Sequence, residues 1–167
     1  MWLSRSMISL RLLLVCLLAP CLSGIVAGGD VLPGAMAQET FSQSELWIET
    51  SSGRHRFTVE IADTPGRRAQ GLMFREDMPV DHGMLFEFER LQPVAMWMRN
   101  TLIPLDMLFI NPDGTIHHII AAAEPRTDTT RSSEGKVLGV LELNAHVTQL
   151  LGIRTGDRVI HPFFGTK

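Results

Sequence analysis

The chain has 167 residues, of which 15 are Lys or Arg and 18 are Asp or Glu, giving a net charge of −3 at pH 7. Its basic residues are scattered and form no basic stripe for nucleic acid, so we predict no nucleic-acid partner. Both cysteines, Cys16 and Cys21, lie near the N-terminus; this excludes a disulfide, a thiolate metal site and a cysteine nucleophile from the rest of the chain.

The first 37 residues have the parts of a secretory signal peptide. Arg5 and Arg11 supply the positive start, residues 12–28 form an apolar stretch, and residues 35–37 (Ala-Met-Ala) fit the small-x-small cleavage rule. We therefore predict that residues 1–37 are removed and that Gln38 becomes the N-terminus. The mature protein would then be periplasmic or extracellular, and it would contact a membrane only through the leader before cleavage.

Two alternatives to cleavage stay open. An uncleaved membrane anchor is disfavoured because Pro20, Gly24 and Gly28 interrupt the apolar run. Lipidation at Cys21 is disfavoured because a lipoprotein signal has a small residue just before the cysteine, where this chain has Pro20.

The chain after the leader begins with a predicted hairpin. Residues 46–48 and 57–61 have strand character, and residues 51–53 (Ser-Ser-Gly) form a turn signal between them. Thr64 followed by Pro65 is typical of a helix N-cap and first helical position, which predicts a short helix to about Leu72.

Further short strands follow with frequent turn signals. The predicted strands are residues 84–88, 94–98, 105–110, 115–121, 137–143 and 158–161. Residues 111–114 (Asn-Pro-Asp-Gly) predict a tight turn, and the polar residues 124–136 predict a loop. Asn144 is a candidate cap for a second short helix that ends near Leu151, with Gly152 as its stop.

This pattern predicts a mainly β fold, namely a single antiparallel sandwich or partly open barrel with two short helices. Residues 38–63 would form the lead-in and β-hairpin, and residues 64–167 the core of the same domain. We predict no cofactor, and the sequence gives no indication of the oligomeric state.

Five segments, taken in order, resemble the uncharacterised family named domain of unknown function 192. They are TPGRRAQGLMFRE (64–76), HGMLFEF (82–88), MWMRNTLIPLDMLFI (96–110), VLELN (140–144) and GIRTGDRV (152–159). The resemblance implies a compact, mainly β domain that is often exported, and it implies no reaction, cofactor or substrate. This chain departs from the usual family pattern at His146, where glycine is common, and at His82, where an acidic residue is common.

The most specific of these segments contains a candidate ligand site. A polar group held on rigid backbone beside an aromatic ring is a plausible small-molecule site. The candidate ligand-binding residues are Trp97, Arg99, Asn100, Asp106, Glu142 and Asn144. In a strand, Trp97 and Arg99 would face one way, and Ile103-Pro104 would bend the chain so that Asp106 returns towards them. The alternative is structural, with Asn100, Thr101 and Asp106 hydrogen-bonding the loop backbone and fixing the bend.

Our leading hypothesis is an exported, non-enzymatic binding module for a small polar ligand, a glycan or an extended peptide. A second hypothesis is a Cu(I) carrier that binds the metal through Met96, Met98 and His146, since thioethers and imidazole are soft ligands. Its alternative is that the methionines fill the core, as Met73, Met84 and Met107 would among their apolar neighbours. A third hypothesis is a hydrolase that uses Asp106 and Glu142 as paired carboxylates.

Overall fold

The structure is a computed structural model that describes residues 38–166. The predicted signal peptide, residues 1–37, lies outside the described residues. The strands are β1 Ser42–Thr50, β2 Gly53–Ala62, β3 His82–Met96, β4 Leu105–Ile110, β5 Ile116–Ala123, β6 Arg131–Asn144 and β7 Arg158–Ile160. The helices are α1 Pro65–Gln70 and α2 Val147–Leu151, and a single 3₁₀ turn covers Pro162–Phe164.

The seven described strands form a single sheet in the order β5-β4-β6-β3-β2-β1-β7. The sheet curls into a half-barrel, so the predicted mainly β fold with two short helices is confirmed in its partly open form. Neighbouring strands are antiparallel except β2 and β3, which are parallel. A parallel pair needs a crossover connection, and α1 with the loop after it supplies this connection.

Local signals account for the first elements. The predicted hairpin forms around the Ser51–Gly53 turn, with Thr50 paired to Gly53. Thr64 caps α1, since its hydroxyl oxygen accepts the Arg67 N–H at 3.2 Å, and Pro65 occupies the first helical position. Gly71 ends the helix with φ 50°, in the left-handed region where a residue without a Cβ is favoured.

Three sequence expectations differ from the structure. The predicted strand 94–98 is the last part of the long strand β3, which ends at Met96. Trp97 and Arg99 therefore follow the strand, and the alternation predicted for them does not apply. The predicted loop 124–136 is a strand from Arg131 onwards, because this polar segment pairs with β3. The N-cap position of α2 is occupied by His146, whose side chain makes no capping hydrogen bond, and not by Asn144.

Apolar side chains pack on both faces of the sheet. Face A carries the cluster that includes Leu46, Leu85 and Leu108, and Val147 from α2 packs onto it. Face B carries the cluster that includes Met84, Phe86 and Met107. Residues alternate between the two faces along a strand. Two polar side chains of the sheet therefore share one environment only if they lie on the same face. Within residues 38–166, no helix is long and apolar enough to cross a bilayer.

His146 has a left-handed backbone, with φ 70°, which gives a physical reason for the glycine that is common at this family position. A residue with a Cβ is strained in this conformation by roughly 1–2 kcal/mol, and glycine avoids the strain while losing more backbone entropy on folding. We predict that His146→Gly raises the free energy of unfolding by about 0.5–1 kcal/mol, measured by urea denaturation.

The matched control is Gln149→Gly, an exposed position inside α2. Glycine in a helix interior costs about 1 kcal/mol relative to good helix formers, so this variant should be less stable than the natural chain. Loss of stability in both variants would contradict the assignment of strain to His146.

Candidate functional site

A pocket of about 320 Å³ lies on face B. Its walls come from the end of α1 and the following residues, from the second half of β3 and from Trp97, Thr101 and Glu142. Most of its lining is apolar, including Leu72 and Phe86. Pockets that bind small molecules have volumes of roughly 300–1,000 Å³ and mainly apolar walls with a few polar groups. The pocket therefore has the size and composition of a small-molecule site.

Glu142 is the buried acid of this pocket, with 4% of its surface exposed. It lies on β6 between its cross-strand partners Met84 on β3 and Met107 on β4, and both methionines are fully buried. Burial raises the pKa of the Glu142 carboxyl to about 8. Within residues 38–166, neither a hydrogen bond nor a nearby charge contributes to this rise in the pKa, so the carboxyl is mainly protonated at neutral pH and can bond a ligand.

Four other polar residues line the pocket, namely Arg68, Gln70, Gln92 and Thr101. Thr101 is buried, and its backbone is held because its N–H donates to the Met98 carbonyl at 3.1 Å and its carbonyl accepts the Arg126 N–H at 3.1 Å. Arg68 donates from Nη1 to the backbone carbonyls of Asp63 at 2.6 Å and Glu87 at 2.8 Å. The guanidinium of Arg68 also lies over the Phe88 ring at 5.5 Å.

Asp106 lies away from the pocket and has a structural role. Its side chain has 0% exposure, and its carboxylate accepts the N–H groups of Ala122, His146 and Thr148 at 2.8, 3.1 and 2.9 Å. It also accepts the Thr148 hydroxyl at 2.7 Å. Asp106 is paired with Leu143, one residue along β6 from Glu142, so the two acids face opposite sides of the sheet. This corrects the predicted return of Asp106 towards Trp97, and it removes the carboxylate pair on which the hydrolase hypothesis depended.

The other predicted polar residues also bond within the fold. Arg99 is exposed and its Nε donates to Asp128 at 2.8 Å, which raises the pKa of the Arg99 guanidinium. Asn100 has φ 57°, and its carbonyl accepts the Phe74 N–H at 2.8 Å. Asn144 donates from Nδ2 to the carbonyls of residues 78 and 79, both at 3.0 Å. These contacts hold loops together. The structural alternative, in which side chains bond the loop backbone, describes Asp106, whereas Asn100 acts through its backbone carbonyl.

Trp97 and Glu142 are the members of the predicted site that line the pocket. Trp97 is 51% exposed, so its ring is available to an incoming molecule. The sequence reasoning missed Arg68, Phe86 and Phe88, which lie far from Trp97 along the chain. One signal pointed to the two aromatic residues, since Phe86 and Phe88 alternate along one strand, whereas no sequence pattern pointed to Arg68.

The proposed metal ligands are dispersed among different surroundings. Met98 is fully buried in the apolar cluster of face B, together with Met84 and Met107, which is the core role considered for the methionines. Met96 lines the pocket, and His146 is exposed at the start of α2. No group of three His, Cys, Asp or Glu side chains in residues 38–166 could hold a metal ion. The copper hypothesis therefore gains no supporting contact.

The profile of the DUF192 family, described as "Uncharacterized ACR", matches residues 47–161. The chain belongs to the DUF192 family. No curated protein matches this DUF192 chain.

Two solved structures resemble this DUF192 domain. A proposed transcription regulator from Sinorhizobium meliloti 1021 is 45% identical, with a TM-score of 0.73, over 75% of this chain and 98% of that chain. A protein of unknown function from Novosphingobium aromaticivorans DSM 12444 is 34% identical, with a TM-score of 0.70, over 74% of this chain and 94% of that chain. Both matches support the fold of the described domain.

The second departure from the usual DUF192 pattern, His82, lies outside the pocket lining. Its Nδ1 is 2.9 Å from the carboxylate of Asp81, and this hydrogen bond lowers the pKa of Asp81. The substitution therefore changes a surface contact at the start of β3.

The bonding of Asp106 predicts a large structural effect. We expect Asp106→Ala to lower the free energy of unfolding by roughly 3–5 kcal/mol, because it leaves buried donors without an acceptor. Chemical denaturation measures this change. The control is Asp128→Asn, which removes an exposed partner of Arg99 and should change stability by no more than about 0.5 kcal/mol. Equal effects of the two substitutions would contradict the structural role of Asp106.

The raised pKa of Glu142 predicts how stability depends on pH. Between its usual value of 4.5 and its folded value of about 8, the folded chain keeps a proton that the unfolded chain has lost. Stability therefore falls as pH rises through this window, with a limiting slope of about 1.4 kcal/mol per pH unit. Glu142→Gln should remove this slope, so that its stability relative to the natural chain increases as the pH rises from 5 to 8.

Urea denaturation at several pH values between 5 and 8 tests this prediction. Burial also raises the pKa of Glu87 and lowers that of His161, but both groups are present in both proteins, so the difference isolates Glu142. Glu45→Gln, at an exposed carboxylate paired with Arg56, should keep the slope. Parallel pH profiles for the natural chain and Glu142→Gln would show that Glu142 ionises normally.

Proposed function

We propose that this DUF192 protein is a non-enzymatic binding protein whose pocket on face B holds a small molecule. The observation that supports this most strongly is Glu142, a buried acid that lines an apolar pocket and has no hydrogen-bond partner in residues 38–166. The carboxyl of Glu142 lines the pocket, so a ligand could bond to it while packing its apolar part against the walls. This combination of one acid with apolar walls is why the arrangement favours a binding role.

Binding is favoured over catalysis by the composition of the pocket. Its lining contains one carboxyl group, Glu142, and one permanent cation, Arg68. General acid–base hydrolysis of a glycosidic bond uses two carboxyl groups on one site, and Asp106 lies on the opposite face. A ligand held against Trp97 with its polar group at Glu142 needs neither a second acid nor a nucleophile.

The role proposed for the S. meliloti protein is not extended to this chain. DNA binding depends on cationic side chains that are free to contact phosphates. In the described domain many arginines are paired with acids instead; the pairs are Arg54–Glu49, Arg56–Glu45, Arg67–Asp63, Arg75–Glu60 and Arg99–Asp128. Together with the net charge of −3, this favours a small molecule as the partner.

We also propose that binding takes place after export. The signal-peptide pattern in residues 1–37 supports this, and so does the absence of cysteine from residues 38–167, since a domain without thiols tolerates an oxidising compartment. The pocket would then sample small molecules in the periplasm or outside the cell.

Fragment binding tests the proposed function. Thermal unfolding of the purified chain in the presence of small neutral, cationic and anionic fragments should identify compounds that raise the midpoint, because ligands stabilise the state that binds them. Trp97→Ala should abolish these shifts while the chain remains folded.

The matched control is Trp47→Ala. Trp47 lies on β1, where the Arg54 guanidinium stacks on its ring at 4.7 Å, and it does not line the pocket. Its variant should keep the fragment-induced shifts. Shifts that persist in Trp97→Ala, or a complete lack of stabilising fragments, would contradict a binding site in this pocket.

A further inference from the structure

The ligand class follows from the charges that surround Glu142. Its cross-strand neighbours are Met84 from β3 and Met107 from β4, and Trp97 and Thr101 line the same pocket from the loop after β3. These four groups are uncharged. Glu142 is therefore a buried acid whose immediate neighbours supply no positive charge.

Two arginines, Arg68 and Arg75, could have served as the counterion of Glu142. Arg68, from α1, is the other charged residue of the pocket lining, but its Nη1 is bonded to two backbone carbonyls. Burial is the cause of the pKa shift of Glu142, without a contribution from Arg68. On β2, Glu60 pairs with Arg75, so these two charges compensate each other. Neither arginine therefore acts as the counterion of Glu142, so a ligand would have to supply it.

The pocket walls suit a linear apolar stem. Leu72, Met73, Phe86 and Met96 line the space together with Trp97. Alkyl chains pack well against such surfaces, and thioethers adapt their shape to them. Aromatic ring faces also attract a cation through their quadrupole. The lining therefore favours a ligand that carries its positive charge at the end of an alkyl chain.

We infer that the pocket binds a primary alkylammonium group, with the alkyl stem against Trp97 and the ammonium at Glu142 and the Thr101 hydroxyl. Lysine side chains and aliphatic amines belong to this class. The inference rests on the proposed binding function and specifies its ligand. On binding, the Glu142 carboxyl releases its proton to the solvent, and the resulting carboxylate forms an ion pair with the ammonium, so that one proton leaves for each charged ligand bound.

Calorimetric titration of the purified chain with n-pentylammonium tests the inference, with 1-pentanol and pentanoate as probes of equal stem length. We expect pentylammonium to bind most tightly of the three. Its affinity should rise about tenfold per pH unit from pH 6 towards pH 8, because Glu142 must ionise while the amine stays charged. Titrations in two buffers of different ionisation enthalpy should show the release of nearly one proton at the lower pH.

Two variants separate the roles of the carboxyl groups. Glu142→Gln keeps the shape of the side chain and should lose at least tenfold in affinity for pentylammonium, together with the pH dependence. Glu45→Gln, at an exposed acid outside the pocket, should leave both unchanged.

Other outcomes overturn the inference in distinguishable ways. Equal, pH-independent binding of 1-pentanol, or preferred binding of pentanoate that is lost in Arg68→Met, would overturn the ammonium assignment and leave the binding function standing. Arg67→Met is the control in that case, since Arg67 pairs with Asp63 and lies outside the pocket lining. Failure of all three probes, together with failure of the fragment screen, would overturn both proposals.

Discussion

The carboxylate of Asp106 joins three parts of the domain. It lies on β4 and accepts hydrogen bonds from Ala122 on β5 and from His146 and Thr148 at α2. A buried carboxylate is tolerated only when donors surround it, so β5 and α2 must adopt these positions together. The donors include three backbone N–H groups, whose placement depends on the path of the main chain. Asp106 therefore fixes the end of the sheet where β4, β5 and α2 meet.

The register of β4 against β6 then separates the two acids of the central strands. Asp106 opposes Leu143, and Met107 opposes Glu142, so one carboxyl group is bonded on face A while the other is left without a partner on face B. Nearby on β3, Gly83 allows the close approach of β6, because a Cβ there would lie 2.5 Å from the Glu142 backbone oxygen. An acid that lines a pocket among apolar neighbours is a feature that the fold does not require, and such departures from local rules concentrate at functional sites.

The sequence predicted what local chemistry determines. The Ser51–Gly53 turn, the Thr64 cap and strand β4 follow from patterns a few residues long. The start of β6 did not, because its polar residues become a strand only through pairing with β3, which no local pattern reports. The sequence did not predict the complete pocket, because Arg68, Trp97 and Glu142 are distant along the chain and come to line one pocket only in the folded domain. Glu142, one of the predicted ligand-binding residues, lines the pocket, and an acid among the apolar residues 137–143 is unusual in itself.

The most recognisable segment of the family has two tasks, and this explains why its residues divided between structure and site. The carbonyls of Asn100 and Thr101 accept hydrogen bonds from Phe74 and Arg126, which fastens the loops on either side. Fastened in this way, the segment holds Trp97 at the pocket wall with its ring half exposed. Its backbone carbonyls stabilise the loop, whereas the chemistry that a ligand would meet comes from an aromatic ring and from an acid on another strand. Selectivity at such a site would arise from desolvation: a ligand that cannot satisfy Glu142 leaves a buried polar group unpaired, and its binding is weakened accordingly.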